Sequence, residues 1–253
     1  MSPRPTLTLV ILLLATGLRA EEIRVAVAAN FRPCLDVLAA NFEASTSHEV
    51  VIASGSTGRH YAQITAGAPF DIFLAADSRR PRELEASGHA IDGSRFCYAR
   101  GVLILWWPEP PDPAPTNLRG ALTSSHLKHL ALANPRLAPY GEAAREVLQA
   151  LALWDLLAPR LVQGQSVGQA WQFVASGNAQ AGLVARCQLH DRPTGLVLEI
   201  PRSLHAPIIQ EAVLLTGAEH IEAAKEFLTF LRGPSARAVI ADFGYDLPDT
   251  TGP

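Results

Sequence analysis

Four times along this chain an extended apolar run stops at a polar, donor-rich turn and passes at once into helical spacing, and this recurrence constrains the fold more than any other feature. The first instance is Val25-Ala26-Val27-Ala28-Ala29-Asn30-Phe31. Residues 23–29 are β-branched and alanine-rich, and Phe31, Leu35, Leu38, Ala39 and Phe42 follow at helical intervals, which predicts strand, tight turn and helix with Asn30 on the turn. The second is a strand over 50–53, then Ser54-Gly55-Ser56-Thr57-Gly58, then Tyr61, Ile64 and Ala68 at helical spacing. The third joins a strand over 129–133 through Asn134-Pro135-Arg136-Leu137-Ala138-Pro139-Tyr140-Gly141 to a helix over 142–152 with Val147, Leu148 and Leu151 inward. The fourth joins 160–162 through Gln163-Gly164-Gln165-Ser166-Val167-Gly168 to a helix carrying Ala170, Trp171, Phe173 and Val174. Strands alternating with helices predict open α/β sheets. In such sheets the carboxyl ends of strands and the amino ends of helices face one crevice, where free N–H groups and helix dipoles suit a small anion.

The remaining pattern fills in two lobes. A third strand is predicted over 71–77 and a short helix over 83–88. Residues 96–107 are long and apolar and run into a proline-rich surface loop at 108–115. Strands over 181–187 and 196–200 read as buried, 208–215 as the strand that returns the chain to the first lobe, and 218–232 and 235–243 as closing helices. The expected division is a leader at 1–20, a first lobe of 21–100 plus 205–253, and a second lobe of 101–204, with hinge motion about crossings near 100 and 205.

The amino terminus carries Arg4, the apolar run of residues 7–14 and small residues ending at Ala20, the order of an export signal cut near Glu21. The run is too short to span a bilayer, and no Cys follows the cut to accept lipid. Lys plus Arg is 21 against 24 Asp plus Glu, a net charge of −3 that becomes −5 once Arg4 and Arg19 leave with the signal. A mildly acidic protein has no global attraction for nucleic acid or anionic lipid, so any anion must be held by directed dipoles. Cys34, Cys97 and Cys187 lack metal-ligand or CxxC spacing and read as buried free thiols, or as one pair and one leftover.

Catalytic readings are weak. Asp71 and Asp77 suit capping or solvated roles better than a catalytic carboxylate pair. Gly55 to Gly58 lacks the Lys of a P-loop, and Ser56 lacks the frame of a nucleophile elbow. A hydrolase would need Ser56 or Thr57 with His60 or His205, and no third residue is indicated to orient the base. Trp106 and Trp107 are adjacent on a strand, so at most one could face a cleft as a sugar platform.

The turns resemble those of the periplasmic molybdate-binding proteins, the ligand-capturing subunits of molybdate/tungstate ABC importers. The resemblance rests on VAVAANF at 25–31, GSTG at 55–58, AGAPFDIFLAAD at 66–77, ANPRLAPYG at 133–141, QSV at 165–167, GNAQAGLVA at 177–185 and a terminal FLRGPSA with FGY. It implies a type II periplasmic binding protein: an α/β fold of two lobes, each a mostly parallel sheet flanked by helices, closing over a tetrahedral oxyanion in the cleft between them. It places the ligand donors on Ala29, Asn30, Ser56, Thr57, Tyr140 and Val167. Many members carry Ser where this chain has Asn30, and a Tyr donor where it has Ala185. A branch resembling this chain has Asn in the first turn and Tyr in the APYG turn, so Tyr140 is expected to supply the missing donor, through its backbone or its hydroxyl. The resemblance implies a periplasmic, monomeric binding protein with no cofactor, no catalytic residue and no nucleic-acid partner, whose partners are molybdate or tungstate and the importer's membrane subunits. Sulfate or phosphate is the alternative ligand; a phosphate site would more often recruit an Asp or an Arg fork.

Overall fold

A computed structural model of the protein describes residues 20–190 and 194–248; all but the last residue of the expected leader lies outside them. Two five-stranded sheets organise the chain. In the first, β1 (Glu22–Ala28) lies between β2 (Glu49–Gly55) and β3 (Ile72–Leu74), and β10 (Ile208–Leu214) joins β3 to β4 (Phe96–Gly101). In the second, β6 (Leu130–Ala133) lies between β7 (Leu161–Gly164) and β8 (Ala181–Ala185), and β5 (Leu103–Trp107) joins β8 to β9 (Leu196–Glu199). The chain passes from one sheet to the other at 101–103 and returns between β9 and β10.

Each sheet is mixed rather than mostly parallel. The strands that feed helices, β1 with β2 and β3, and β6 with β7 and β8, pair in parallel. The strands beside the crossings pair antiparallel, β10 with β3 and β4, and β5 with β8 and β9. A crossing strand enters from the far lobe, so it runs against the strands that began in its own. A second correction concerns 196–200: β9 is the edge of its sheet, alternates half-buried and exposed residues, and leaves Val197 39% exposed.

Periodicity explains the packing of β1. Ile23, Val25 and Val27 fall on one face, in the same core as the helix α1 (Arg32–Glu43), while Ala26 falls on the other with Ile64, Phe73 and Leu84. Covered on both faces, β1 is wholly apolar and buried from Val25 to Ala28. Helix α1 buries the stripe Cys34, Leu35, Leu38, Ala39 and Phe42, and Phe42 meets Phe227 of α8 (Ile221–Arg232) edge-on at 5.0 Å between ring centroids. The helix α3 (Arg79–Ala86) starts a turn earlier than predicted, because a proline at 81 is tolerated in a first turn. Asp71 is buried and accepts from the N–H groups of Arg24 and Glu219, whereas Asp77 accepts from the Arg80 N–H and pairs with its guanidinium. Both carboxylates are structural.

Trp106 and Trp107 are both buried; the indole of Trp106 stacks on Trp171 and donates to the Thr194 carbonyl. Neither is a platform for a ligand. All three cysteines are free thiols, with Cys34 and Cys187 buried and Cys97 half-buried. Among the described residues no helix is long and apolar enough to cross a membrane.

Candidate functional site

The four turns meet. Helix α1, α2 (Thr57–Thr65), α5 (Pro139–Ala150) and α7 (Val167–Ala175) bring their amino ends to one small cavity between the sheets. It is lined by residues 28–30, 55–57, 76, 138–140, 166 and 167, and its empty space is about 180 Å³ counting the opening. All six residues expected from sequence, Ala29, Asn30, Ser56, Thr57, Tyr140 and Val167, lie in this wall. The turns also touch one another across the cleft: the Gly58 N–H donates to the Leu137 carbonyl at 2.8 Å, and a Cβ at Gly168 would lie 3.2 Å from that of Ala29.

The helix starts are prepared for an outside acceptor. The first N–H groups of a helix have no partner within it and are ordinarily met by a capping side chain. Among the described residues no side chain caps α1, α2 or α5, whereas α7 is capped by the Ser166 hydroxyl accepting from the Gln169 N–H. At α5, Pro139 has no N–H to offer, so Tyr140 presents the first one. Ser56 stands at the amino cap of α2 with its hydroxyl not engaged in capping. Thr57 is 1% exposed and its Oγ1 accepts from the Ala76 N–H at 3.0 Å, which leaves the hydroxyl proton free to donate. Four helix dipoles of about half a charge each amount to roughly +2 at the cavity, the complement of a dianion. Among the described residues no charged side chain lines it. Arg32 and Arg59 line the wider groove outside, Arg32 paired with Asp36 and Arg59 exposed.

Two expected donors are placed differently. The Ala29 N–H is bound to the Gly55 carbonyl at 2.8 Å, holding β1 to the end of β2, so Ala29 supplies wall and no donor. The Tyr140 hydroxyl reaches away from the turn to the crossing: Gln210 Nε2 is 3.5 Å from it, and a Cβ at Gly101 would lie 2.2 Å from its oxygen. This geometry favours the backbone of Tyr140 over its hydroxyl. Tyr140→Phe is therefore expected to weaken oxyanion binding less than about fivefold in a calorimetric titration; a loss of a hundredfold would return the donor role to the hydroxyl.

Sequence reading missed three residues that surround Asn30. Gln210 of β10, Tyr245 near the carboxyl end and Tyr98 of β4 are all buried, and each lies within 3.1 Å of a neighbour in one polar cluster. The available signal was a glutamine inside the apolar run of 208–215. Burial raises the pKa of Tyr98, Tyr140 and Tyr245 well above the usual phenol range, so all three keep their protons and can donate.

His60 does not serve the cavity. Its Nδ1 lies 3.1 Å from Gln63 Oε1, and its Nε2, with no hydrogen-bond partner among the described residues, packs against Gly55. His205 Nδ1 meets the Ala206 carbonyl. Burial lowers the His60 pKa below 6.5, outweighing the Gln63 hydrogen bond that raises it. The folded state holds the ring neutral, so this contribution to stability is complete above pH 6.5 and falls as pH drops from 6.5 through the folded pKa. Melting temperature is expected to decline more steeply from pH 7 to pH 5 in the parent than in His60→Gln; parallel curves would show that His60 has no part in it.

Comparison with known proteins fits this geometry. The model for the bacterial extracellular solute-binding protein family matches residues 23–246. The chain belongs to that family. The molybdate-binding protein ModA of Rhodobacter capsulatus is 45% identical over 233 residues, covering 92% of this chain and 91% of the relative. ModA of Azotobacter vinelandii is 44% identical over 239 residues, covering 93% and 94%. The structure of the Azotobacter vinelandii periplasmic molybdate-binding protein superposes with a TM-score of 0.86 at 40% identity, covering 90% of this chain and all of that one.

Proposed function

We propose that this chain is the periplasmic solute-binding protein of an ABC importer, and that it captures molybdate or tungstate. The observation that carries this reading is the convergence of four helix starts, three without a capping side chain, on a buried cavity lined by neutral donors and no charge. Its likeness to two molybdate-binding relatives at 44–45% identity supports the ligand. In this reading the donors are the Asn30 amide, the Ser56 and Thr57 hydroxyls and the N–H groups of Tyr140 and Val167. Neutral donors hold a dianion through dipoles and charge-assisted hydrogen bonds, and they release it when the lobes part. The lobes are residues 21–100 with 205–253, and 101–204; they close about the two crossings, and their outer faces dock on the membrane subunits. The protein acts as a monomer without cofactor and has no catalytic activity or nucleic-acid partner.

Titration of the mature protein, from Glu21 on, with molybdate, tungstate, sulfate and phosphate tests this. Tight one-to-one binding of the first two alone is expected, weakened at least tenfold in Asn30→Ala. A preference for sulfate or phosphate would keep the fold and reject the ligand.

A further inference from the structure

The Asn30 amide is gripped by residues that never touch the cavity. Its Nδ2 lies 2.8 Å from Gln210 Oε1 and 3.0 Å from the Tyr245 hydroxyl, while Oδ1 is buried with no partner among the described residues. Gln210 is fully buried; its Oε1 is also 3.1 Å from the Tyr98 hydroxyl, and its Nε2 is 3.5 Å from the Tyr140 hydroxyl. This arrangement has two defects. The partnerless group of Asn30 is an acceptor, wrong for an anion. The Tyr98 hydroxyl has one proton and two acceptors, the Ala75 carbonyl at 3.0 Å and Gln210 Oε1.

The oxygen and nitrogen ends of an amide have the same shape, so the same heavy atoms admit a second arrangement with both amides turned over. Gln210 Nε2 then donates one proton to Asn30 Oδ1 and the other to Tyr98, whose own proton goes to the Ala75 carbonyl. The Tyr140 hydroxyl donates to Gln210 Oε1. The Tyr245 hydroxyl turns its proton to Asn30 Oδ1, and the Asn30 carbonyl keeps the Cys187 thiol, 3.4 Å away, as donor. Burial holds that thiol protonated, with its pKa pushed up to about 12. Every other proton of the cluster finds an acceptor, and Asn30 Nδ2 is left with its N–H groups free.

We propose that Gln210 is a positioning residue that fixes the polarity of the anion site: read from the Ala75 carbonyl through Tyr98 and Gln210, the hydrogen-bond order forces Asn30 to present its NH₂ group to the ligand. Gln210 touches no ligand and acts only through Asn30. The choice of an anion with no proton to donate follows, because nothing in the cluster then offers it an acceptor. The proposal rests on the reading of the cavity as an oxyanion site.

Nuclear Overhauser contacts in the parent protein test the arrangement without any ligand. The side-chain NH₂ of Gln210 is expected close to the ring protons of Tyr98; contact with Tyr140 in its place overturns the proposal. Read at a pH where its carboxyl is ionised, Gln210→Glu supplies acceptors alone, so Asn30 must turn its NH₂ back toward residue 210 and Tyr245. Molybdate binding is expected to fall at least a hundredfold in Gln210→Glu and about tenfold in Gln210→Leu, with the Asn30 NH₂ contacting the Tyr245 ring in the first variant. Affinity of Gln210→Glu within threefold of the parent overturns the proposal. If the parent shows the Tyr98 contact but binds no molybdate, the ligand reading fails and the role of Gln210 in orienting Asn30 stands; should Gln210→Glu not fold, the parent contacts still decide.

Discussion

Asn30→Asp is expected to abolish oxyanion binding at pH 8 while leaving the fold intact. The substitution changes one nitrogen to oxygen in a side chain 1% exposed, so packing is preserved, and the carboxylate can accept from the Tyr245 hydroxyl and, with the Gln210 amide turned to face it with Nε2, from Gln210. The charge is the whole effect. A unit charge about 4 Å from another costs roughly 4 kcal/mol at an effective dielectric near 20, and twice that against a dianion. Since about 1.4 kcal/mol is a factor of ten in affinity, even a quarter of this repulsion leaves binding about thirtyfold weaker, and most of it makes binding undetectable at millimolar ligand. Binding must then be coupled to proton uptake by the new carboxyl, so affinity recovers as pH falls. Calorimetry at pH 8 and pH 6, with melting curves to show that the variant is folded, measures both. Affinity within tenfold of the parent at pH 8 would place Asn30 away from the ligand.

The donor turns were legible because each is local. A strand that stops at Asn30, at Gly55-Ser56-Thr57, at Ala138-Pro139-Tyr140 or at Ser166-Val167 announces itself by a change of period within a few residues, and the chemistry sits on the residue where the period changes. What those residues do once assembled was not legible. Ala29 and Asn30 are neighbours, yet one N–H is absorbed by the Gly55 carbonyl, a pairing set by the parallel register of β1 and β2. Gln210 stands 180 positions from the side chain it contacts, and only the return crossing brings them together. The break between β4 and β5 is hidden for a related reason. The backbone stays extended through residues 96–107 while its partners change from one sheet to the other, and hydrophobic periodicity does not record which sheet a strand joins. The helix α4 (Leu118–Leu122), just after the proline-rich loop and capped by the Asn117 side chain, is too short for its period to show. Residues 191–193, within the stretch between β8 and β9, lie outside the described residues.

The cavity lacks charge on its walls but is not electrostatically neutral, and this accounts for where the arginines are. A guanidinium on the wall would add Coulomb energy that persists wherever the helices stand. Arg80, beside the cleft, is tied to Asp77 and reaches the Arg136 carbonyl across the gap. Arg32 and Arg59 stay in the outer groove, where salt screens them. Dipoles fixed in the backbone stand wherever their helices stand, so the site depends on helix placement.

That dependence on helix placement gives the second large effect. Gly141→Ala is expected to destabilise the protein by about 2–3 kcal/mol, near the upper range for forced overpacking, and to weaken ligand binding together with it. In an exposed helix the same change is favourable by about 1 kcal/mol, so the sign itself is diagnostic. Gly141 lies in the first turn of α5, and a Cβ there would sit 2.3 Å from the Ala133 carbonyl oxygen and 2.7–2.8 Å from the next backbone carbons. These are backbone atoms at the end of β6, with no rotamer to change, so α5 must back away from its sheet. The Tyr140 N–H moves with it and leaves the cavity wall. A loss of 2–3 kcal/mol corresponds to a melting temperature lower by roughly 4–12 °C for a chain of this size. Gly217→Ala, where an added Cβ meets nothing within 4 Å, is the control and is expected within 0.5 kcal/mol of the parent, as surface changes usually are. Equal melting temperatures for the parent and Gly141→Ala would mean that α5 can shift on β6 freely, and a helix free to shift could not hold the Tyr140 N–H in a rigid donor set.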